Sequence, residues 1–167
     1  MAQQARIQAV AFDAFGTLFD VYSVGLLAEQ LFPGKGATLA ELWRQKQIEY
    51  SFIRSLSGRY KPFWDITRDG LDFAAARLGL ALDGAQRTQL MNQYACLSPF
   101  PENLAALRRL KDAGLPTAIL SNGTPEMLQV AIKSAGTESG CGQASLLLQC
   151  SEVYSMHKEK RSHNKIK

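Results

Sequence analysis

The sequence lacks any long apolar run, and this absence bears on its location. No uninterrupted apolar stretch approaches the roughly 20 residues that a membrane-spanning helix needs. The first six residues, Met-Ala-Gln-Gln-Ala-Arg, lead into a strand-like segment rather than into the apolar core of a signal peptide. The sequence therefore predicts a protein that does not bind a membrane and that resides in the cytoplasm.

Cysteine is also scarce. The three cysteines, Cys96, Cys141 and Cys150, are odd in number and do not have the spacing of a metal site. Small secreted domains that depend on disulfides carry many more. We therefore expect reduced, unpaired thiols and no metal centre built from cysteine.

The chain has little excess charge outside its C-terminal end. Its formal net charge is +4, but residues 157–167 hold five cationic side chains and a single acidic one. Fourteen side chains of each sign then remain in residues 1–156. A basic tail can bind nucleic-acid phosphates, although such tails are more often solvated and disordered. We predict a disordered basic tail over residues 155–167 and no nucleic-acid partner.

What remains is the composition of a soluble globular protein, with 46% hydrophobic and 20% charged residues. A chain of 167 residues is long enough to bury a core, as one domain or as a core with an inserted subdomain. No internal repeat is visible.

The stretch from residue 8 to residue 20 predicts a strand, a turn and a candidate functional residue. Residues 9–12 form a short apolar run that predicts a strand buried on both faces of a parallel sheet. The run ends at Asp13, and Gly16 allows the backbone to turn sharply. Ligands of open α/β sheets bind at the carboxyl ends of strands, so Asp13 is a candidate functional residue. The alternative for an isolated Asp before a glycine is a side chain that stabilises the turn.

Helical patterns fill the region from residue 21 to residue 97. Helices are predicted at about 21–32, 38–56, 67–78 and 83–97, and the second of them opens with a capping box from Thr38 to Glu41. Gly79 suits the end of the third helix. An all-helical insertion directly after a functional strand end predicts a cap that closes over the site and excludes water.

The α/β pattern resumes at Pro99. It predicts a helix over 101–113, a strand over 115–120, a helix to about residue 135 that Thr124 caps, and a third strand over 144–150. The predicted fold is α/β, a partial Rossmann-like core of parallel strands with an inserted helical cap. The predicted division is 1–20 and 98–154 for the core, 21–97 for the cap and 155–167 for the tail.

The string Phe-Asp-Ala-Phe-Gly-Thr-Leu-Phe-Asp, residues 12–20, resembles the first motif of the haloacid dehalogenase superfamily, whose members use the first Asp as a covalent nucleophile. Phosphatases of that superfamily carry a second Asp two residues later, as a general acid and metal ligand. Here that position is Phe15, which suits a substrate whose leaving group needs no proton. The pattern is similar to the (S)-2-haloacid dehalogenase branch.

The resemblance implies catalytic roles for three residues. Asp13 would be the nucleophile, the Thr17 hydroxyl would orient its carboxylate, and Arg44 would reach down from the cap to receive the leaving halide. The matching context Leu-Trp-Arg-Gln, residues 42–45, supports the role of Arg44. The alternatives are a turn or helix-cap threonine and a solvated helix arginine.

The resemblance also implies a substrate-binding set. The backbone amides of Ala14 and Phe15 would hold the substrate, and the Phe15 ring would form an apolar wall. Ser121 and Asn122, in Ser-Asn-Gly at the end of the second core strand, resemble the second motif of the family and would hold the substrate carboxylate. Ordinary turn chemistry is the alternative for Ser121 and Asn122.

The function that this resemblance implies is hydrolytic dehalogenation of short-chain (S)-2-haloacids to (R)-2-hydroxy acids, through an ester on Asp13. It implies a small 2-haloacid substrate, no metal or organic cofactor, and a homodimer as the common assembly. Two alternatives stay open, a phosphatase of the same superfamily and an inactive fragment.

The resemblance extends from residue 7 to about residue 135 and then stops. The family has a lysine after a Val-Tyr dipeptide, whereas Val153 and Tyr154 are followed here by Ser155. The family's later strands and their hydrolytic residues have no counterpart in the remaining sequence. We therefore expect a chain that is truncated or altered after about residue 135.

Overall fold

A short strand opens the described part of the fold, and five helices follow before the chain returns to the sheet. The structure, a computed structural model, describes residues 7–137 and 152–155. Strand β1 spans Val10–Phe12, and it is followed by α1 (Gly25–Leu31), α2 (Gly36–Leu56), α3 (Phe63–Arg77) and α4 (Gly84–Ala95). The chain then forms α5 (Pro101–Asp112), β2 (Thr117–Ser121), α6 (Pro125–Thr137) and β3 (Glu152–Ser155).

The three strands form one parallel sheet in the order β1-β2-β3. Phe12 is paired with Ile119, and Ile119 is paired in turn with Val153. The carboxyl ends of β1 and β2 therefore lie side by side, which confirms the predicted α/β class. The strand predicted over 144–150 lies outside the described residues. Ser155, which the sequence analysis assigned to the tail, is the last residue of β3.

Strand β1 is less buried than its apolar sequence suggests. Val10 and Phe12 are half-buried and Ala11 is exposed, so the prediction of a strand buried on both faces is wrong for the described residues. The fully buried residues come after the strand instead, at Ala14 and Phe19. Most of the largest fully buried side chains belong to the turn that follows the strand and to helices α2–α4.

Helix α2 is capped by a contact from another helix. The predicted capping box at Thr38 is wrong, because α2 begins at Gly36 and Thr38 lies inside it. The Glu29 carboxylate of α1 accepts hydrogen bonds from the amides of Gly34 and Gly36, the latter at 2.8 Å. A Cβ at Gly36 would lie 2.5 Å from the Glu29 backbone nitrogen, so only glycine allows this close approach of the two helices.

This cap predicts a pH-dependent contribution to stability. The two amide hydrogen bonds, from Gly34 first and then Gly36, hold the pKa of Glu29 below its ordinary value of 4.5. A carboxyl whose pKa is lowered by folding stabilises the native state above its unfolded pKa and loses that contribution as the pH falls through the folded value. Thermal unfolding from pH 7 down to pH 3 should therefore show Glu29→Gln as less stable than the parent near neutrality, with the difference shrinking below pH 4.5. A difference that stays constant over that range would contradict this role.

Several other predicted helix ends are close to those observed. Asp83 forms a capping box with Gln86 at the start of α4, and Thr124 Oγ1 accepts a hydrogen bond of 3.3 Å from the Met127 amide at the start of α6. Gly79 has a φ of +66° just after α3, in agreement with the predicted stop. Helix α3, however, begins four residues earlier than predicted, directly after Pro62.

Helices α2 and α3 pack closely against each other. A Cβ at Gly70 of α3 would lie 3.2 Å from the Gln47 backbone nitrogen of α2. The buried indole of Trp43 donates a hydrogen bond of 2.7 Å to the carbonyl of Thr67. Helices α1–α4 occupy the region predicted to be a cap, and the division into core and cap stays a prediction. Within the described ranges, every helix is too short or too polar to span a bilayer.

Candidate active site

The turn after β1 is held by its own backbone. The Ala14 carbonyl accepts hydrogen bonds of 2.9 Å from both Leu18 and Phe19, and the Gly16 amide donates one of 2.8 Å to Phe19. Gly16 has a φ of +100°, a conformation that side chains other than glycine rarely adopt. The turn buries Ala14 and Phe15 and leaves Asp13 exposed at the strand end.

The start of α5 anchors this turn from outside. The Phe100 amide donates a hydrogen bond of 3.1 Å to the Leu18 carbonyl. The Asn103 side-chain amide donates to the carbonyls of Thr17 and Leu18, at 2.7 and 3.2 Å. The sequence analysis missed Asn103, because its partners lie more than 80 residues away and no local pattern reports such a contact.

A cleft of about 240 Å³ opens beside Asp13, between the ends of β1 and β2 and helices α2 and α3. Nine residues line it: Asp13, Phe15, Arg44, Ile48, Ser51, Phe52, Phe63, Ser121 and Asn122. Five of these are predicted site residues, and the fold thus brings together side chains that are more than 100 residues apart in sequence. Ile48, Ser51 and Phe52 were missed, although Ile48 and Phe52 follow Arg44 at four-residue intervals on one face of α2.

Arg44 of α2 joins the helical region to the turn after β1. Its Nη2 donates a hydrogen bond of 2.7 Å to the Phe15 carbonyl, and its Nη1 donates one of 2.7 Å to Gln47 Oε1. Within residues 7–137, no ion pair involves Arg44 or Asp13. The guanidinium therefore presents at the cleft a positive charge that is in no ion pair with a described carboxylate.

The Phe15 ring forms an apolar wall of the cleft and is 3% exposed. It packs against Phe63 at 5.5 Å and stacks on Tyr94 at 6.0 Å between ring centroids. A Cβ at Gly123 would lie 2.5 Å from Phe15 Cε2, so a glycine is required after Asn122 for the ring to fit. These contacts fix the position of the ring next to Asp13.

Ser121 and Asn122 continue β2 into the cleft. Ser121 is almost fully buried, and its Oγ accepts a hydrogen bond of 3.3 Å from the Gly123 amide. This is the ordinary turn contact that the sequence analysis gave as the alternative. Both residues also line the cleft beside Asp13, so a substrate-binding role is compatible with the turn.

Ala14 and Thr17 do not line the cleft through their side chains. Thr17 is exposed, and within residues 7–137 its hydroxyl makes no hydrogen bond to Asp13. Over the same range, no oxygen accepts a hydrogen bond from the backbone amide of Ala14 or Phe15, which leaves both amides available to a ligand. The assigned roles of all these residues stay predictions.

Two smaller predictions concern metals and thiols. Among the residues that the structure describes, no group of three or more His, Cys, Asp or Glu side chains could hold a metal ion. Cys96 is half-buried and forms no disulfide with a described residue, whereas Cys141 and Cys150 lie outside the described ranges.

Comparison with known proteins indicates the family. Residues 7–148 match the family model of haloacid dehalogenase-like hydrolases. This match ends about a dozen residues beyond residue 135, where the sequence analysis ended the resemblance. The chain is 46% identical over 134 residues to the (S)-2-haloacid dehalogenase of Pseudomonas sp. (strain YL), a match that covers 80% of this chain and 58% of that protein.

Solved structures agree with this match. The fold is similar to the crystal structure of an L-2-haloacid dehalogenase, with a TM-score of 0.80 and 54% identity over 90% of this chain and 64% of that one. It is also similar to the L-2-haloacid dehalogenase of Xanthobacter autotrophicus with chloropropionic acid covalently bound, with a TM-score of 0.78 and 41% identity over 90% of this chain and 57% of that one. The chain thus spans less than two thirds of the length of these relatives.

Proposed function

Because the chain belongs to the haloacid dehalogenase-like hydrolases, we propose that it hydrolyses short-chain (S)-2-haloacids to (R)-2-hydroxy acids and halide. One observation carries the proposal: Asp13, Arg44, Ser121 and Asn122 line a single cleft whose walls are otherwise mainly apolar. A nucleophilic carboxylate, a cation and two polar groups for a substrate carboxylate are what such a displacement requires. The names of the relatives support the substrate class.

In the first step, an Asp13 carboxylate oxygen attacks C2 of the substrate from the side opposite the halogen. The carbon–oxygen bond forms as the carbon–halogen bond breaks, the halide leaves with the bonding electrons, and the carbon inverts. The product is an ester of Asp13. A carboxylate needs no base for this attack, only alignment and partial removal of water, which the Phe15 and Phe63 rings favour.

Arg44 and the strand ends have complementary roles in this step. The guanidinium stabilises the halide as its negative charge develops. Ser121, Asn122 and the free amides of Ala14 and Phe15 hold the substrate carboxylate, which fixes the reacting carbon beside Asp13. Phe15, in place of an acidic residue, fits a leaving group that departs as a stable anion and needs no proton.

In the second step, water attacks the carbonyl carbon of the Asp13 ester. The acyl–oxygen bond breaks, the 2-hydroxy acid leaves with the inverted carbon, and the Asp13 carboxylate is regenerated. One water is consumed, and one halide and one proton are released in each cycle. In the geometry described above, the Thr17 hydroxyl makes no hydrogen bond to the Asp13 carboxylate. We therefore expect Thr17 to orient that carboxylate only after the turn between the two residues has moved.

The proposal is tested by incubating the purified chain with (S)-2-chloropropionate and, separately, with the (R) enantiomer. We expect chloride release and (R)-lactate from the (S) substrate alone, and an adduct of one propionate group on the Asp13 peptide when the reaction is quenched early. Absence of both chloride and adduct would refute the proposed function. Phosphate release from phosphomonoesters with Mg²⁺ would point instead to the phosphatase alternative.

We also propose a homodimer and a cytoplasmic location, as the sequence predicts. Large apolar side chains at the end of α2 and just after it support an interface between copies: Phe52, Ile53, Leu56 and Tyr60 are all exposed. Sedimentation velocity should give a dimer that Leu56→Lys, a charged replacement at the most exposed of these positions, converts to monomer. A monomer at all concentrations would contradict the assembly.

A further inference from the structure

A buried glutamine lies one helical turn after Arg44. Gln47 is fully buried, although a glutamine side chain is usually exposed. Its Oε1 accepts two hydrogen bonds, one of 2.7 Å from Arg44 Nη1 and one of 2.9 Å from the Tyr94 hydroxyl. Arg44 on α2 is thereby linked to α4 through a single oxygen atom.

The orientation of the Gln47 amide follows from its other end. Gln47 Nε2 donates a hydrogen bond of 2.6 Å to Thr67 Oγ1. The Thr67 hydroxyl donates its own proton to the Phe63 carbonyl at 2.8 Å, so Thr67 Oγ1 can only accept from Gln47. The nitrogen of the amide must therefore face Thr67, and its oxygen must face Arg44 and Tyr94.

Tyr94 contributes an uncharged hydroxyl group to this arrangement. Burial raises the pKa of Tyr94, and the nearby Arg44 charge and the hydrogen bond with Gln47 only partly offset the rise. The hydroxyl therefore stays protonated and donates to Gln47 at neutral pH. Its ring is packed between Trp43, at 5.1 Å, and Phe15, at 6.0 Å.

The guanidinium of Arg44 is consequently held at two separate points. Nη1 is bound by Gln47, which α3 and α4 orient, and Nη2 is bound by the Phe15 carbonyl, which belongs to the turn that carries Asp13. A planar group held through two different nitrogens cannot rotate about its Nε–Cζ bond without breaking one contact. An arginine side chain on a helix surface has no such restriction.

We propose that Gln47, oriented by Thr67 and Tyr94, is a positioning residue that fixes the rotation of the Arg44 guanidinium over the Asp13 end of the cleft. This inference rests on the proposed function, in which Arg44 receives the leaving halide. Gln47 does not itself line the cleft, and its hydrogen bond to Arg44 connects it to a residue that does. Small errors in the placement of a charge-stabilising group reduce the rate far more than they reduce substrate binding.

The kinetic test compares Gln47→Leu with Gln45→Leu, the same replacement at an exposed position of the same helix. We expect Gln47→Leu to lower kcat and the single-turnover rate of chloride release by about tenfold or more, with KM changed by about threefold at most. Gln45→Leu should leave both constants unchanged. A kcat of Gln47→Leu within about twofold of the parent would overturn the proposal, and so would a loss expressed only in KM.

A second variant tests the same proposal in case Gln47→Leu does not fold. Tyr94→Phe retains the ring and its packing but removes one of the two donors to Gln47 Oε1. Its kcat should fall in the same direction as that of Gln47→Leu and by a smaller factor. If Gln47→Leu does not fold, an unchanged kcat in a folded Tyr94→Phe would overturn the proposal.

A spectroscopic readout separates this proposal from the proposed function. The rate of rotation about the Arg44 Nε–Cζ bond can be measured by ¹⁵N NMR of arginine side chains, with the signal assigned from Arg44→Lys. Slow rotation in the parent and Gln45→Leu, and faster rotation in Gln47→Leu, would support positioning even if no substrate is turned over. Equal rates in all three proteins would overturn it, whatever the outcome of the halide assay.

Discussion

Replacing Asp13 by Asn should abolish halide release from (S)-2-chloropropionate. An amide oxygen is a far weaker nucleophile than a carboxylate, and no other described carboxylate lines the cleft. Loss of the nucleophile typically removes most of the catalytic rate, so we expect at least about a thousandfold decrease in kcat. Steady-state chloride release and the mass of the Asp13 peptide after an early quench would measure both the rate and the ester.

The matched control for this change is Asp20→Asn. It makes the same replacement seven residues later, at a side chain whose Oδ1 accepts a hydrogen bond of 2.9 Å from the Tyr22 amide, a contact that an asparagine oxygen can keep. Its activity should equal that of the parent. Comparable loss in Asp20→Asn would indicate damage to the turn after β1, and full activity in Asp13→Asn would refute the assignment of the nucleophile.

Replacing Arg44 by Met should lower kcat by about 100- to 1000-fold, the range seen when one preorganised group that stabilises developing charge is removed. The halide carries its full charge only as the carbon–halogen bond breaks, so the effect on KM should be smaller than the effect on kcat. The substitution also removes the hydrogen bonds to Phe15 and Gln47. We therefore expect a loss in unfolding free energy of about 1–3 kcal/mol, measured separately by urea denaturation.

Arg68→Met is the control for this change. It removes one positive charge from an exposed position on α3, where Arg68 pairs with Asp65 at 2.8 Å. An exposed pair of this kind contributes little to stability, about 0–1 kcal/mol. If Arg68→Met lowers kcat as much as Arg44→Met does, the effect is one of overall charge and the local role of Arg44 is wrong.

The order of the elements could be predicted from local patterns. A short apolar run, an Asp and a glycine predicted the strand and turn at Asp13, and Gly16 does adopt a positive φ. Turn and capping residues such as Gly79, Asp83 and Thr124 act on their own neighbours in sequence, so their effects are visible without the fold. The same reasoning failed at Thr38, because a carboxylate from α1 caps α2 instead.

Part of the candidate site could also be predicted from the sequence, because some of its residues belong to local motifs and others do not. Asp13, Arg44, Ser121 and Asn122 belong to motifs that can be recognised in the sequence, and all four line one cleft. Phe63 lines the cleft as well. Ile48 and Phe52 could have been found from their spacing relative to Arg44 on α2, whereas Asn103 could not have been found.

By itself the sequence determined the α/β class, the helical insertion after β1, and the chemical types of residue at the strand ends, because each depends on periodicity, turn chemistry or a short motif. Only the tertiary structure decided which buried polar groups meet. The bond between Gln47 and Tyr94 joins residues 47 positions apart, and that between Gln47 and Thr67 joins residues 20 apart. Such contacts depend on how α2, α3 and α4 pack, and in a local pattern Gln47 is an ordinary polar residue of a helix. The identity of Arg44 is therefore evident from the sequence, while its orientation comes from the packing of three helices around it.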